Sequence, residues 1–414
     1  MICFIVSTSC WSNINSAEIP NNTNGTGNKK FNTNFLAQGL REYGLLCALI
    51  IIVTFFQFAT NSVLLQPLNL TNLILQNSYI VIMALGMLMV IVSGQIDLSV
   101  GSVVGFIGAL AATLMVTRGM PFIPAMLICI LVGAAIGAIQ GYWVAYWKVP
   151  SFIVTLAGML VFRGLTLISL DGQSVGPFED SFNVISSGFI HDFFGIEGLH
   201  VTSLLLGIVV SVAFFYIEFR QRRQAAQHGI DNSSMTLFIV KNLILSIVII
   251  AFSYLLALYQ GMPTVLIIMG VLVALYTFIM NRTTIGRRIY AVGGNAKAAK
   301  LSGINTERVI FFSFVNMGVL AAFAGLIFAA RLNSATPSGG YGFELDVIAA
   351  CFIGGASASG GVGKVFAVVI GAFIMGVMNN GMSIMGIGVD YQQVIKGLVL
   401  LGAVLIDVYT KNKG

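Results

Sequence analysis

The chain has 414 residues, of which 57% are hydrophobic and only 9% charged, and its formal net charge is +6. A water-soluble globular chain carries about 25% charged residues, so this sequence has too few to cover its own surface in water. Its apolar residues form continuous runs of about twenty, the length that a helix needs to cross a bilayer, rather than the alternating pattern of a barrel strand. The composition therefore excludes a soluble globular protein and predicts an all-α polytopic membrane protein.

The N-terminal segment differs from the rest in composition. Residues 1–10 are apolar but lack the basic residues of a signal peptide, and residues 11–34 are rich in Asn, Thr, Ser and Gly. Such a composition offers too little apolar surface to form a core. We therefore predict a flexible tail over residues 1–40 and a membrane domain over residues 41–414.

Twelve apolar segments follow the tail. The segment at 345–358 is short and flanked by glycines, so it is either a half-helix or a full span. The segments fall into a first half at 41–170, a two-helix insertion at 203–258 and a second half at 263–408. Their approximate bounds are 43–60, 73–93, 100–117, 121–146, 151–170, 203–219, 236–258, 263–280, 309–330, 345–358, 363–385 and 390–408.

The basic residues indicate the orientation. The loop at 171–202 holds five acidic residues and no Lys or Arg, whereas Arg220–Gln224, residues 281–308 and the C-terminal Lys411–Gly414 are basic. Lys and Arg accumulate in the cytoplasmic loops of membrane proteins. We therefore predict that the loop at 171–202 is external and that the basic segments and both termini are cytoplasmic.

Glycine patterns predict how the helices pack. Gly94–Ala109 and Gly355–Ala372 each consist of a small-residue break followed by a glycine-rich helix, which predicts two weakly repeated halves with a pathway between them. A chance likeness between glycine-rich helices is the alternative. Gly133, Gly137 and Gly141 recur every four residues, and this spacing favours close packing of two helices in lipid.

Polar side chains inside the apolar segments are candidates for a transport pathway, because their burial in lipid is costly. Arg163 lies twelve residues into its segment, so we expect a carboxylate partner, Asp97 or Asp346. Lys364 and Lys396 are further ionisable residues in these segments. The alternative explanation is that the charged side chains snorkel to the membrane surface or form structural ion pairs, and that the amides form hydrogen bonds between helices. The candidate pathway or break residues are Gln76, Asn77, Asp97, Ser99, Arg163, Gly360, Gly361, Asn379 and Asn380.

Catalytic patterns are missing from the sequence. His191, His200 and His228 lack metal-ligand spacing, the five cysteines form no CxxC pair, and there is no GxSxG, HExxH or Walker A motif. No series of intramembrane carboxylates and histidines indicates a proton-driven pump. We therefore expect no catalytic residue, no metal and no cofactor on this chain, and an energy source on another subunit.

The basic segment at 281–308 is longer than a simple connection between helices requires. Within it, Asn295 is a candidate N-cap and Gly303 a candidate C-cap of a short helix. Alanines and Leu301 on one side of this helix, with Lys297 and Lys300 on the other, would suit docking on a soluble partner. A solvated cytoplasmic loop is the alternative.

Several stretches of the chain, from about residue 70 to its end, are similar to a known family. They resemble the permease subunits of bacterial ABC importers for ribose, xylose and galactose. The two extra helices near 203–258 resemble the xylose permeases in particular, whereas residues 1–40 match nothing in the family. The most specific stretches are "GQIDLSVGSVVG" at 94–105, "KVPSFIVTLAGMLVFRG" at 148–164, "TTIGRRIYAVGGNAKAAKLSGIN" at 283–305 and "ELDVIAACFIGGASASGGVGKV" at 344–365.

The resemblance implies a subunit in the bacterial inner membrane that passes a monosaccharide, D-xylose foremost, from a periplasmic binding protein to the cytoplasm. It implies three partners, namely a second permease copy, the binding protein, and an ATPase subunit that carries ATP and Mg²⁺. The same architecture with another sugar or a branched-chain amino acid as cargo is an alternative, and so is a self-sufficient secondary transporter. The ATPase-coupling residues that the resemblance implies are Gly286, Arg287, Gly293, Gly294, Asn295, Ala298, Leu301, Ser302 and Gly303.

Overall fold

The computed structural model describes residues 33–195, 198–227 and 235–412, most of which are helical. A π-helical stretch, Thr113–Thr117, continues the third helix. The helices are α1 Thr33–Ala59, α2 Pro67–Val92, α3 Val100–Ala112, α4 Phe122–Ala145, α5 Ser151–Leu170, α6 Asp180–Ser187, α7 Val201–Gln227, α8 Met235–Ala257, α9 Thr264–Arg282, α10 Thr284–Gly294, α11 Ala296–Leu301, α12 Thr306–Leu332, α13 Phe343–Ile353, α14 Val365–Ile384 and α15 Val389–Asn412.

Among the described residues, ten helical segments are long and apolar enough to cross a membrane. They are α2, α3 with its π-helical extension, α4, α5, α7, α8, α9, α12, α14 and α15, and the apolar part of α1, Gly44–Ala59, is shorter. The eleven residues of α13 cover only about 16 Å, so the segment predicted at 345–358 contains a half-helix. Each of the twelve predicted segments thus contains a helix, and the predicted fold class is confirmed.

Helices also occur where the sequence predicted loops or a tail. The loop at 171–202 contains α6, and the basic segment contains α10 ahead of the expected short helix α11. The first helix begins at Thr33, within the predicted tail. Residues 1–32, His228, Lys413 and Gly414 lie outside the described residues, and the prediction of a flexible tail therefore stays a prediction.

The chain divides into two compact units. Of the described residues, the first unit comprises those up to Ile51 and those within His191–Gly261, so it contains the two-helix insertion α7 and α8. These helices form an antiparallel hairpin, in which Gly207 lies against Ser253. Further along the hairpin, the buried carboxylate of Glu218 accepts a hydrogen bond from Asn242 Nδ2 at 3.0 Å and pairs with Lys241 Nζ at 3.2 Å.

The second unit comprises Ile52–Ile190 and Met262–Gly414. Its core is built from α2, α14, α3 and α12, which are its most deeply buried membrane-crossing helices. The glycines of α4 face α12, because a Cβ built at Gly137 would overlap the carbonyl oxygen of Phe314, and one at Gly133 would lie 2.5 Å from that of Gly318. The close packing predicted from the four-residue glycine spacing is confirmed.

The two ends of α9 define two ends of the second unit. At its start, Thr264 donates its backbone N–H to the carbonyl of Gly188, directly after α6, at 2.9 Å. At its finish, Arg282 leads into α10. We call these the α6 end and the α10 end. Because α12 begins next to α11 and finishes at Asn333, whose side chain accepts the N–H of Phe178 at 2.8 Å, it joins the two ends.

Candidate functional site

The basic segment starts with a tight turn from α9 into α10. The Thr283 hydroxyl caps α10 by accepting the N–H of Gly286 at 3.4 Å. Gly286 is buried, and a Cβ built there would overlap the carbonyl oxygen of Met280. Glycine is therefore required at this turn for close backbone approach, while the neighbouring Arg287 is exposed.

The short helix α11 has the caps that the sequence predicted. The Asn295 side chain accepts the N–H of Ala298 at 3.0 Å, as an N-cap does. Gly303 follows the helix with a φ of +83°, a conformation that glycine adopts without strain. The N–H of Gly303 bonds to the carbonyl of Lys300 at 3.0 Å, which closes the last turn.

The outer face of α10 and α11 carries exposed apolar side chains among basic ones. Leu301 is 91% exposed and Ile285 is 54% exposed. Ala298 and Ser302 are exposed as well, beside the exposed Lys297. These apolar side chains thus pack little against the described part of the chain, and the docking of this face on a soluble partner stays a prediction. We call α10 and α11 together the coupling segment.

We call residues 93–99, between α2 and α3, the first break, and residues 354–364, between α13 and α14, the second break. Gly293, at the end of α10, joins the coupling segment to the second break. The N–H of Gly361 donates to the carbonyl of Val92 at 2.9 Å, and Gly293 lies directly against both groups. A Cβ built at Gly293 would overlap the Val92 oxygen, whereas one built at Gly294 would meet nothing within 4 Å. Gly293 therefore has no room for a side chain, and Gly294 does.

The first and second breaks meet at the same place. A Cβ built at Gly360 would lie 3.0 Å from the Cα of Gly94, and both residues have positive φ. We call Gly94, Gly293, Gly360 and Gly361 the glycine junction. The two breaks thus meet, a contact that the sequence did not predict, and whether the two halves are true repeats stays a prediction.

Tyr290 forms a second link between α10 and the breaks. Its hydroxyl donates to the carbonyl of Gly363 at 2.6 Å. Burial raises the pKa of the Tyr290 phenol, so the group keeps its proton and remains a donor at neutral pH. A movement of α10 would therefore be transmitted to the second break both by this hydrogen bond and by backbone contact at Gly293.

Asp97 and Ser99 lie in the first break and bond to each other. The Asp97 carboxylate accepts the N–H of Ser99 at 2.8 Å and its hydroxyl at 2.7 Å. Gln140 of α4 donates to the same hydroxyl at 3.0 Å. This buried network holds the start of α3 against α4.

The prediction that Arg163 pairs with Asp97 or Asp346 is wrong. Its guanidinium lies 3.9 Å from the Glu344 carboxylate and 4.4 Å from the centre of the Tyr341 ring. Asp97 instead bonds within its own break, and Asp346 pairs with Lys396 at 2.9 Å. The reason is the path of residues 333–342, which carry the first turn of α13 to the side of α5, an arrangement that sequence spacing does not reveal.

The candidate amides form hydrogen bonds between helices. Asn77 of α2 donates to the carbonyl of Ala372 in α14 at 2.9 Å, and Asn380 exchanges bonds with Asn69 at 2.9 and 3.1 Å. Asn379 donates to Asp346 at 3.2 Å. Gln76 is half-buried in α2. These bonds favour the alternative explanation, in which the amides hold helices together, and a role in transport stays a prediction.

Comparison with known proteins identifies the family. The family described as "Branched-chain amino acid transport system / permease component" matches residues 69–404. The chain belongs to this permease family. The matched range includes both breaks, the coupling segment and the α7–α8 hairpin, so the predicted relationship to transport permeases is confirmed. The permease is accordingly a multi-pass protein of the inner membrane.

Three curated relatives are similar to this permease over most of its length. The xylose transport system permease protein XylH of Haemophilus influenzae is 42% identical over 374 residues, which cover 90% of this chain and 98% of the relative. XylH of Escherichia coli K12 is 38% identical, with 90% and 93% covered. The ribose import permease protein RbsC of Haemophilus influenzae is 34% identical over 345 residues, with 83% and 86% covered. No solved structure gave a significant match.

Proposed function

We propose that this permease is the membrane-spanning subunit of an ATP-driven importer for a monosaccharide, D-xylose foremost. The observation that carries this proposal is the similarity to two xylose permeases over 90% of the chain. The similarity to a ribose permease covers less of the chain, at lower identity. The cargo passes from a periplasmic binding protein at the α6 end of the second unit to the cytoplasm at its α10 end. Both termini of the chain are also on the cytoplasmic side of the membrane.

In this proposal the coupling segment receives an ATPase subunit. The exposed Leu301 and Ile285, set among basic residues, are suited to a groove on a soluble partner. ATP and Mg²⁺ bind to that partner, and this chain binds neither. The resemblance to the family implies coupling residues between Gly286 and Gly303. In this proposal the exposed ones contact the ATPase, and the glycines allow the tight turns.

Transmission then follows from the glycine junction. Movement of α10 displaces Gly293 and Tyr290, and these residues contact the second break directly. The second break ends α13 and starts α14, so both helices change position with it. Two permease copies that alternate between inward and outward opening complete the importer. A sugar shifts such an equilibrium only through different affinities for the two states.

The test is reconstitution of the permease with the ATPase and binding protein of its own bacterium in proteoliposomes. We expect ATP-dependent uptake of D-xylose that requires all three components. Faster uptake of D-ribose than of D-xylose would contradict the assignment of the sugar. Ion-driven flux through the permease alone would contradict the importer proposal and favour a secondary transporter.

A further inference from the structure

The segment between α12 and α13 turns back into the protein from the α6 end. Ala335 exchanges backbone hydrogen bonds with Val175 of the outer loop at 2.9 and 3.0 Å. A few residues later, Gly340 and Gly339 lie so close to α3 that a Cβ built at Gly101 or Gly105 would overlap their carbonyl oxygens. The chain therefore continues beside α3 into the helical bundle before α13 begins.

This path delivers Tyr341 and Glu344 to the middle of α5. Arg163, which both residues contact, lies twelve residues after the start of α5, or about 18 Å along its axis. That is well inside the roughly 30 Å of hydrocarbon that α5 crosses. A charged and aromatic cluster thus lies at a depth where unpaired polar groups are costly.

The cluster leaves hydrogen-bonding capacity unused. The Arg163–Glu344 distance of 3.9 Å is too long for a hydrogen bond, so the guanidinium donors are not occupied by this carboxylate. Glu344 is only 7% exposed, and its Oε2 has no hydrogen-bond partner among the described residues. Buried acceptors of this kind are normally paired.

A cleft beside the cluster contains a second unpartnered group. Its lining includes Ser102, Arg163, Thr166, Ser338 and Tyr341. Ser102 is only 4% exposed, and within the described part of the chain its hydroxyl has no hydrogen-bond partner. Ser338 and Tyr341 are exposed, so the cleft is open on one side. A buried, unsatisfied hydroxyl in an open cleft is placed to bond to an incoming molecule.

The chemistry of this cleft fits a neutral, polyhydroxylated ligand. Of the side chains that line the cleft, Arg163 supplies several donors in one plane, and the Ser102 hydroxyl can donate or accept. The opposite charges of Arg163 and Glu344 balance, which disfavours an anionic cargo. Tyr341 offers an aromatic face for the apolar C–H face of a sugar ring. Non-helical backbone at membrane depth, such as residues 339–342 before α13, is tolerated where it is buried in protein or lines a water-filled cavity.

We propose that this cleft is a sugar-contacting site midway along the transport pathway, in which Arg163 and Ser102 hydrogen-bond to ring hydroxyls, Glu344 balances the charge of Arg163, and Tyr341 packs against the ring. This inference rests on the proposed function and deepens it. Binding is weak, because a cargo that is held tightly at an intermediate site cannot leave it.

The test measures whether sugar protects the cleft from a thiol reagent. Ser338→Cys is prepared in the full-length permease in complex with its ATPase, without nucleotide, and modification of residue 338 by a maleimide is followed by mass spectrometry. D-xylose at twice its dissociation constant should slow the labelling about threefold. L-xylose, which has the same composition and osmotic effect, should leave the rate unchanged.

Two further variants link protection to the named residues. Ser181→Cys, on the exposed face of α6, is the control for position, and its labelling rate should be the same in D-xylose as in L-xylose. Adding Ser102→Ala to Ser338→Cys should remove most of the protection, and since it only deletes an unpaired hydroxyl, folding should be unaffected. Equal labelling with D- and L-xylose, or full protection after Ser102→Ala, would overturn the site. Ser338→Cys complexes that import D-xylose but show no protection by it would refute the site alone, whereas wild-type complexes that import no D-xylose would refute the proposed function.

Discussion

At the scale of single residues, the two adjacent glycines Gly293 and Gly294 have different roles. The family resemblance assigns both to the coupling set without distinguishing them. In the structure Gly293 lies against Val92 and Gly361, with no space for a Cβ, whereas a Cβ on Gly294 would meet open space. Which of the two is indispensable depends on a contact with a helix some two hundred residues earlier, so local sequence could not reveal it.

This difference gives the first prediction. Gly293→Ala would force the coupling segment away from the Val92 carbonyl, because the overlap is with backbone that cannot rotate aside. A misfit of this kind typically costs 1–3 kcal/mol, so we expect ATP-dependent sugar uptake to fall about tenfold or more. Uptake is measured in proteoliposomes containing the complete importer.

Gly294→Ala is the matched control, with the same change one residue later. We expect it to retain uptake close to that of the unmodified permease, and both variants to insert and assemble normally. Equal uptake by the two variants would show that backbone contact at the glycine junction is not needed for coupling.

At the scale of helices, the sequence predicted positions better than contacts. Continuous apolar runs located the twelve membrane segments, because bilayer thickness fixes their length. The sequence pattern did not predict α10, because its eleven residues include three glycines and no long apolar run. It also gave the wrong partners for Arg163, because residues 333–342 are positioned by backbone packing of Gly339 and Gly340 on α3, which leaves no pattern of charge or hydrophobicity to read.

The exposed face of α11 gives a prediction about assembly. Leu301→Asp places a charge on a side chain that is 91% exposed, so the fold of the permease should not change. If Leu301 inserts into a partner groove, burying the new carboxylate there should weaken ATPase binding by about tenfold or more. Co-purification of the ATPase with the permease, followed by titration of the complex, measures this.

Leu332→Asp is the control for this experiment, since Leu332 is an exposed leucine at the α6 end. It should leave ATPase binding unchanged. Undiminished binding by the Leu301→Asp permease would mean that α11 is only a solvated loop, the alternative that the sequence left open.

The buried pair of Asp346 and Lys396 gives a prediction about stability. It joins α13 to α15, and Asp346 is only 3% exposed. Lys396→Met would leave the carboxylate without its cationic partner, and breaking such a pair typically costs about 3–5 kcal/mol. We therefore expect a clearly lower thermal unfolding temperature for the purified permease.

Two further variants test the pairing itself. Lys364→Met, at an exposed lysine, should leave the unfolding temperature nearly unchanged. The double variant with Asp346→Asn and Lys396→Met should recover much of the lost stability, because no buried charge is then left unpaired. A double variant as unstable as the single one would mean that the lysine acts through packing rather than charge.

At the scale of the whole molecule, the distribution of basic residues predicts one orientation in the membrane. Ser181 lies on exposed α6 and Ser302 at the exposed end of α11, at opposite ends of the second unit. In intact cells, a membrane-impermeant maleimide should label Ser181→Cys once it has entered the periplasm. Ser302→Cys should be labelled only after the inner membrane is opened.

The reverse labelling pattern would contradict both the orientation and the placement of the ATPase at the α10 end. Labelling of both positions in intact cells would instead indicate that the reagent had crossed the membrane. Because Cys47 is exposed and would also react with the maleimide, both labelling experiments use a permease in which Cys47 is replaced.

The path of the chain before α13 also has a consequence for the order of synthesis. The half-helix is too short to be inserted as a span by itself. The first turn of α13 packs against Gly101 and lies beside Arg163, and both residues are synthesised long before it. When Glu344 emerges from the ribosome, Arg163 is therefore already in the membrane. Asp346, two residues later, must wait until Asn379 and Lys396 have been made. The second half of this permease therefore cannot close around α13 until α15 has been synthesised, and a ribosome that stops before Lys396 leaves a buried carboxylate without its counter-ion.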